Sequence, residues 1–492
     1  MNPVRHDGSR TIGCPLREAA RKWPEALAVQ GPEGRWTYAG LDRHVTATAA
    51  RLTEALPAES APVAICLPNG PAYLVLLWAL LRLGRTACLL STRLPPEGVR
   101  ALLDRTGCAA LVTARADLDP GPFRPVLAPE ALLQPPGEAG TSHDPIPLAL
   151  DRPATVVFTS GSTGLPRAAV LTLGNHVYNA RGSNQNIALA PGDRWLLALP
   201  LYHVGGLAIL FRCVLAGATV VLPPPGVAPG TVLAEECITH VSLVATQLYR
   251  LLRDEAPDGL DALKAVLLGG SAIPSSLLRV AVARGLPVHT TYGMTEMASQ
   301  VTTTPPGAGI DRLQTSGRLL PHRELRIADD GEILVRGPTL FAGYLDGGRV
   351  RPAVDADGWF HTRDLGALDA RGYLHVHGRK DNQFISGGEN IQPEVIEQAL
   401  VQIEGVRQAV VVPVPHDEYG QRPVAFLDAD PFPEEAVLRR HLAGRLPRFM
   451  IPDAFLPWPG SSPGMKLDRQ RFRHEALRRL TPVPPARTDG DG

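Results

Sequence analysis

Apolar and polar positions in the first 150 residues switch repeatedly between a helical and a strand period. Leu16 to Lys22 is amphipathic at helical spacing. Trp36-Thr37-Tyr38 is a short β-type run, and the helical pattern from Leu41 to Leu56 behind it is stopped by Pro57. Val63 to Leu67 is an unbroken apolar run closed by Pro68-Asn69-Gly70, which predicts a buried strand; Ala72 to Leu83 predicts a helix. Such alternation points to an α/β architecture of mostly parallel strands. Residues 115 to 152, rich in Pro, Gly and acidic side chains, read as a surface connection.

Past residue 153 the alternation resumes. Val156-Val157-Phe158 predicts a strand, then a Gly/Ser/Thr loop, then a helix after Thr172. Leu196 to Leu199, Thr219 to Leu222, His240 to Val244 and Ala265 to Leu268 are short buried strands. Val204 to Leu222 is about long enough to cross a bilayer. Arg212 near its middle, three interrupting glycines and Pro223-Pro224-Pro225 behind it make it a buried helix leading into a buried strand instead. Beyond about residue 315 the texture changes to short β runs between turns: Glu332 to Gly337, Gly358 to Phe360 and Tyr373 to Val376. They predict a small antiparallel or barrel-like unit. A break near Gly378-Arg379-Lys380-Asp381 precedes a compact α+β segment, with helices Pro393 to Leu400 and Glu434 to Leu446 around a strand Ala409 to Pro413. The closing TPVPPARTDGDG reads as a disordered tail.

At 492 residues the chain has room for roughly three domains of about 150 residues, and needs no disulfide or metal staple to bury a core. Lys+Arg and Asp+Glu each number 49, so no basic excess marks a general nucleic-acid or anionic-membrane binder. The cysteines are scattered without a C-x-x-C pair, as expected of reduced thiols in a cytoplasmic protein, and the N-terminus lacks the apolar core of a signal peptide. One bias changes the picture. Lys22, Lys264, Lys380 and Lys466 are the only lysines, against 45 arginines, so each surviving lysine poses a question.

Candidate chemistry sits in the turns. Thr159-Ser160-Gly161-Ser162-Thr163-Gly164-Leu165-Pro166-Arg167 follows a predicted strand. Its hydroxyls, glycines and terminal cation suit phosphate oxygens, although it is no Walker A loop and a plain surface loop has the same composition. Thr291-Tyr292-Gly293-Met294-Thr295-Glu296 reads as a Gly turn that offers a ring to a base, a hydroxyl to a phosphate and a carboxylate to Mg²⁺; an ordinary turn with a helix cap is the plainer alternative. In His361-Thr362-Arg363-Asp364, an Asp after a β run can accept from two ribose hydroxyls. Gly378 to Asp381, Ser386 to Ile391 and Gly464 to Arg469 are, singly, no more than polar turns.

In this order and spacing the pieces resemble the adenylate-forming superfamily of acyl-CoA synthetases, adenylation domains and luciferases, over nearly the whole chain. Four further stretches resemble its o-succinylbenzoate–CoA ligase branch, which serves menaquinone biosynthesis: Leu199 to Gly206, Ser242 to Leu248, Leu267 to Pro274 and Ser386 to Pro393. The resemblance implies a large N-terminal domain of stacked α/β sheets with a small β-barrel-like subdomain (1–380), hinged to a small mobile α+β domain (381–480) ahead of the tail (481–492). It implies that Thr159 to Arg167 holds the ATP β- and γ-phosphates, and that Gly269-Gly270-Ser271-Ala272 and Tyr292 enclose adenine. Thr295 would touch the α-phosphate, Glu296 the Mg²⁺ and Asp364 the ribose, with Arg379 beside it. Asp381 would be the hinge, and Lys466 would reach the α-phosphate and acyl carboxylate. His203 would sit between the acyl pocket and the thiol tunnel as a catalytic and acid-binding residue, and Gly293 would border the acid. CoA would be the acyl acceptor, and a homo-oligomer stays open.

The pattern is broken at the end of the phosphate loop, where Arg167-Ala168 replaces the family's Lys-Gly. Either cation neutralises phosphate, with different geometry. Lys466 stays Lys in this Lys-poor chain, as a compact ammonium beside one phosphate would require. o-Succinylbenzoate has a second carboxylate that must be held. Arg212, a lone cation in an apolar run, needs a partner: that carboxylate or a protein one. His203 alone would read as a hydrogen-bonded core histidine; its Pro200 to Gly206 setting favours the pocket. The same mechanism acting on another aryl or fatty acid, or loading a carrier protein, are the alternatives.

Overall fold

The computed structural model describes residues 11–57, 61–119, 121, 124–134, 147–159, 166–253, 260–271, 273–387, 389–460 and 468–480. Two large sheets dominate. In the first, strands Val63–Cys66, Ala87–Leu89, Ala110–Thr113 and Pro153–Thr159 run parallel, and Arg167–Thr172, Gly343–Asp346 and Arg349–Arg351 extend it antiparallel. In the second, six strands from Leu27–Gly31 to Val288–Met294 are parallel, and Ser299–Thr303 and Arg318–Leu319 close one side. The α/β expectation holds.

One apolar core contains Val63, Ile65 and Leu89 of the first sheet and Val29, Leu197 and Val220 of the second. Helices Pro71–Arg82 and Val204–Ala216 fill the space between the sheets. They are apolar on nearly every face, as a helix covered on all sides must be. The apolar run from Val204 is therefore a helix and the strand Thr219–Val221, as expected. No helix among the described residues is long and apolar enough to cross a membrane.

Past residue 323, strands Glu324–Ile327, Glu332–Arg336, Phe360–Leu368 and Leu374–Arg379 form a four-stranded antiparallel sheet. A short 3-10 turn, Lys380–Asn382, leads into the small C-terminal domain. Its helices Pro393–Leu400 and Glu435–Ala443 pack with the sheet Val406–His416, Gly420–Ala429 and Ala454–Pro457 around a separate core.

The helix expected after Thr172 is Leu173–Asn186, capped by Thr172, while two other local expectations need correction. Between the phosphate loop and that helix lies a strand that the sequence did not signal, Arg167–Thr172, opposite Thr159 at its start and flanked by Gly343–Asp346. Ala168 and Ala169 carry little β signal, and pairing on both sides overrides their propensity. Thr291 to Met294 is not a turn but the last part of strand Val288–Met294, bulged between Tyr292 and Gly293. Asp364 lies within, not after, its strand. The 115–152 connection also holds a sheet-edge strand, Val126–Leu127, and a short helix, Pro129–Leu132. The predicted tail lies outside the described residues.

Candidate nucleotide and acid site

Strand Val288–Met294 carries Tyr292 into the molecule, where its hydroxyl donates to Asp364 Oδ2 at 2.7 Å. Arg379 Nη1 donates to Asp364 Oδ1 at 3.2 Å, from the neighbouring strand where the two residues are in register. Burial raises the Asp364 carboxyl above its ordinary range, opposed by the Tyr292 hydrogen bond and the Arg379 charge. Burial, then the Asp364 charge, push the Tyr292 phenol well up, so it stays a donor at neutral pH. The nearly buried carboxylate is thus oriented from two sides, as an acceptor for paired hydroxyls should be.

Gly269 and Gly270 follow strand Ala265–Leu268 beside the same strand. A Cβ on Gly269 would come within 2.7 Å of Thr291 Cγ2, and Gly270 has φ +86°, so this flat edge depends on glycine. Ser271 is exposed there; Ala272 lies outside the described residues.

Thr295 and Glu296 open a 3-10 turn directly after the Tyr292 strand. Tyr344 donates to Glu296 Oε1 at 2.7 Å, and the Arg167 guanidinium lies 5.5 Å from the Tyr344 ring centroid. Burial and then the Glu296 charge push the Tyr344 phenol up and keep it a donor. Arg167, at the end of the phosphate loop, is therefore tied through Tyr344 to the candidate Mg²⁺ carboxylate. Thr159 stands at the other end of that loop, in register with Arg167. Ser160, Gly161, Ser162, Thr163 and Gly164 lie outside the described residues. Glu296 offers the hard oxygen that Mg²⁺ prefers. No cluster of three His, Cys, Asp or Glu gathers among the described residues.

Arg212 is fully buried. Its Nη2 donates to Ser299 Oγ at 3.3 Å and its guanidinium lies 5.2 Å from the Trp195 ring centroid, while Nε and Nη1 have no hydrogen-bond partner among the described residues. No carboxylate pairs with it among the described residues, so the protein ion pair open at the sequence level is not found. Burial lowers its pKa to about 10, which still leaves it cationic at neutral pH. Ser299 pairs with Met294 across the strand that carries Tyr292, and a Cβ on Gly293 would strike the Ser299 carbonyl oxygen. Gly293 thus lets the acid side and the nucleotide side approach. His203 is exposed at the N-terminal end of the helix that buries Arg212. His203 stands nine positions before Arg212, about 13 Å of helical rise.

The AMP-binding enzyme family model matches residues 16–345, and its C-terminal domain model matches 395–460. The chain belongs to the AMP-binding enzyme family. A Bacillus cereus 2-succinylbenzoate–CoA ligase is 32% identical over 472 residues, 93% of this chain and 97% of that one. The Bacillus subtilis o-succinylbenzoate CoA synthetase (MenE), in complex with the acyl-adenylate intermediate OSB-AMP, matches at TM-score 0.85 and 30% identity, covering 94% and 98% of the two chains. A double mutant of the same synthetase bound to its product analogue OSB-NCoA matches at 0.71 and 29%, covering 94% and 99%.

In this AMP-binding enzyme the described sequence candidates fall into one connected region: Thr159 and Arg167, Gly269 to Ser271, Tyr292 to Glu296, Asp364 and Arg379, with Arg212 joined through Ser299. Lys466 lies outside the described residues. The sequence reading missed Tyr344, Ser299 and the role of Arg363. Tyr344 is 48 residues from Glu296 and sits in no motif, so only the pairing of Gly343–Asp346 with Arg167–Thr172 reveals it. Arg363 adjoins Asp364 within one motif, but its hydrogen bond to Asp381 at 2.6 Å appears only in the fold.

Proposed function

We infer that this AMP-binding enzyme is an ATP-dependent ligase that converts o-succinylbenzoate, ATP and CoA to o-succinylbenzoyl-CoA, AMP and diphosphate through an acyl-adenylate. Buried Arg212 carries this reading: a cation with two nitrogens unpartnered and no carboxylate beside it among the described residues is what a substrate with a second carboxylate would use. The kinship with 2-succinylbenzoate–CoA ligases supports it.

Residues 1–380 would bind the nucleotide and acid, and 381–480 would move about Asp381. Asp364, oriented by Tyr292 and Arg379, would accept the ribose hydroxyls. Arg167 and Thr159 would flank the phosphates, and Thr295 would donate to the α-phosphate. Glu296 would hold Mg²⁺, which supplies charge neutralisation between phosphates and carboxylate. Lys466 would hold the acyl carboxylate against the α-phosphate, so that two anions meet in a cationic setting and diphosphate leaves. The CoA thiolate then attacks the adenylate carbonyl and displaces AMP. His203, at the open end of the Arg212 helix, would border the path between acid and thiol. A cytoplasmic location belongs to this reading.

The test is CoA-dependent AMP formation with o-succinylbenzoate beside benzoate, a cinnamate and a medium-chain fatty acid. The expected result is a preference for o-succinylbenzoate of at least about tenfold in kcat/KM. Stronger turnover of an acid with a single carboxylate would discard the substrate and keep the mechanism.

A further inference from the structure

Arg363 is strained. It lies inside strand Phe360–Leu368, beside Asp364, yet its φ is +61°, where a Cβ crowds the backbone and bulky L-residues seldom sit. The register against Glu332–Arg336 shifts at the same place, between Glu332 and Leu334. Such strain persists only where the surroundings over-determine it. Glu332, nearly buried, accepts from the Arg363 backbone N–H at 2.8 Å and is 3.4 Å from Lys380 Nζ. This backbone carries the guanidinium to Asp381, with Nε and Nη2 each 2.6 Å from Oδ1. Arg379 reaches the other Asp381 oxygen at 3.3 Å while it also holds Asp364. Asp381 is therefore gripped between two arginines, one of them shared with the ribose carboxylate.

We propose that Arg363 is a positioning residue that clamps the hinge carboxylate Asp381 and holds the C-terminal domain in the arrangement that serves adenylation. The proposal rests on the reading of Asp381 as the hinge. The arrangement is supported by the two matches to one synthetase, TM-score 0.85 to its adenylate complex and 0.71 to a double mutant's product-analogue complex. The Arg363 side chain is 57% exposed and that of Asp381 27%, so the pair is weak enough to open when the domain turns.

The experiment times the two half-reactions of the full chain separately, with the acid that the wild type activates best. One assay is ATP–diphosphate exchange; the other is CoA consumption of pre-made acyl-adenylate. Glycine adopts the φ of position 363 without strain, so Arg363→Gly removes the clamp without endangering the fold. It is expected to lower the ratio of adenylation to thioester formation about three- to fivefold at an unreduced Tm, and Arg363→Lys should recover most of that ratio. In an Asp381→Asn background, Arg363→Gly should change the ratio no further. If Asp381→Asn moves the ratio and Arg363→Gly does not, the clamp falls and the hinge stands. A ratio that ignores Asp381→Asn sinks the hinge reading and the clamp with it.

Discussion

Arginine does opposite things in two regions of this enzyme. Around Asp381, Arg363 and Arg379 are half exposed and face carboxylates, Asp381 and Asp364. In the core, Arg212 is fully buried and faces a hydroxyl and a ring, with no carboxylate among the described residues. Exposed pairs are worth about 0–1 kcal/mol and are screened by salt, so they can be exchanged in a domain turn. A buried, half-satisfied cation costs about several kcal/mol and persists for a ligand that completes it. Neighbouring Arg323 separates burial from incompleteness: it too is buried, but it donates to the backbone carbonyls of Gln300, Pro321 and Asn179.

The largest expected effect concerns Lys466 and the proposed domain turn. Lys466→Ala should lower ATP–diphosphate exchange by about a hundredfold or more while sparing thioester formation from pre-made acyl-adenylate. An equal loss in both halves would mean that the C-terminal domain does not alternate. Next comes the buried cation. Arg212→Ala should raise the KM for o-succinylbenzoate about 30-fold or more and leave the KM for ATP within about twofold. An unchanged KM for the acid would remove Arg212 from the pocket and with it one side of the contrast.

The smallest effect is a pH response that separates the regions. His176 is fully buried beside Thr155 Oγ1 and stacked on Phe211, and burial lowers its pKa to about 3. His240 is lowered to about 4, again chiefly by burial, with the Asp193 charge and the Ala188 carbonyl opposing. Both folded values lie below the unfolded value of about 6.5. The unfolded chain therefore binds more protons between them, and stability falls as pH drops from 6.5 toward 4. At Asp381 burial pushes the carboxyl up, but the Arg363 and Arg379 hydrogen bonds outweigh it and hold the pKa below its ordinary value. Its contribution is therefore present above about pH 4 and is lost only as pH falls through the folded pKa. Thermal scans from pH 7 to 5 should show Tm falling by a few degrees, less so in His176→Gln. A flat Tm would contradict neutral buried histidines.

The sequence by itself determined the elements with a clear period and the motifs with a fixed order. Pro393–Leu400 is the expected helix, Ala265–Leu268 the expected strand, and Val204 onward a buried helix and strand, because local pattern and burial agree there. The motif order named Tyr292, Asp364 and Arg379 together, and the structure joins these three by hydrogen bonds. The strand Arg167–Thr172 was not legible, because its two alanines become β only between partners on both sides. Nor were Tyr344 on Glu296, Ser299 on Arg212 or Arg363 on Asp381, at sequence separations of 48, 87 and 18 residues. Composition and periodicity register what a residue is and how it repeats. Which groups meet across such distances, and which buried cation is left without a carboxylate, is settled only when sheets and helices pack.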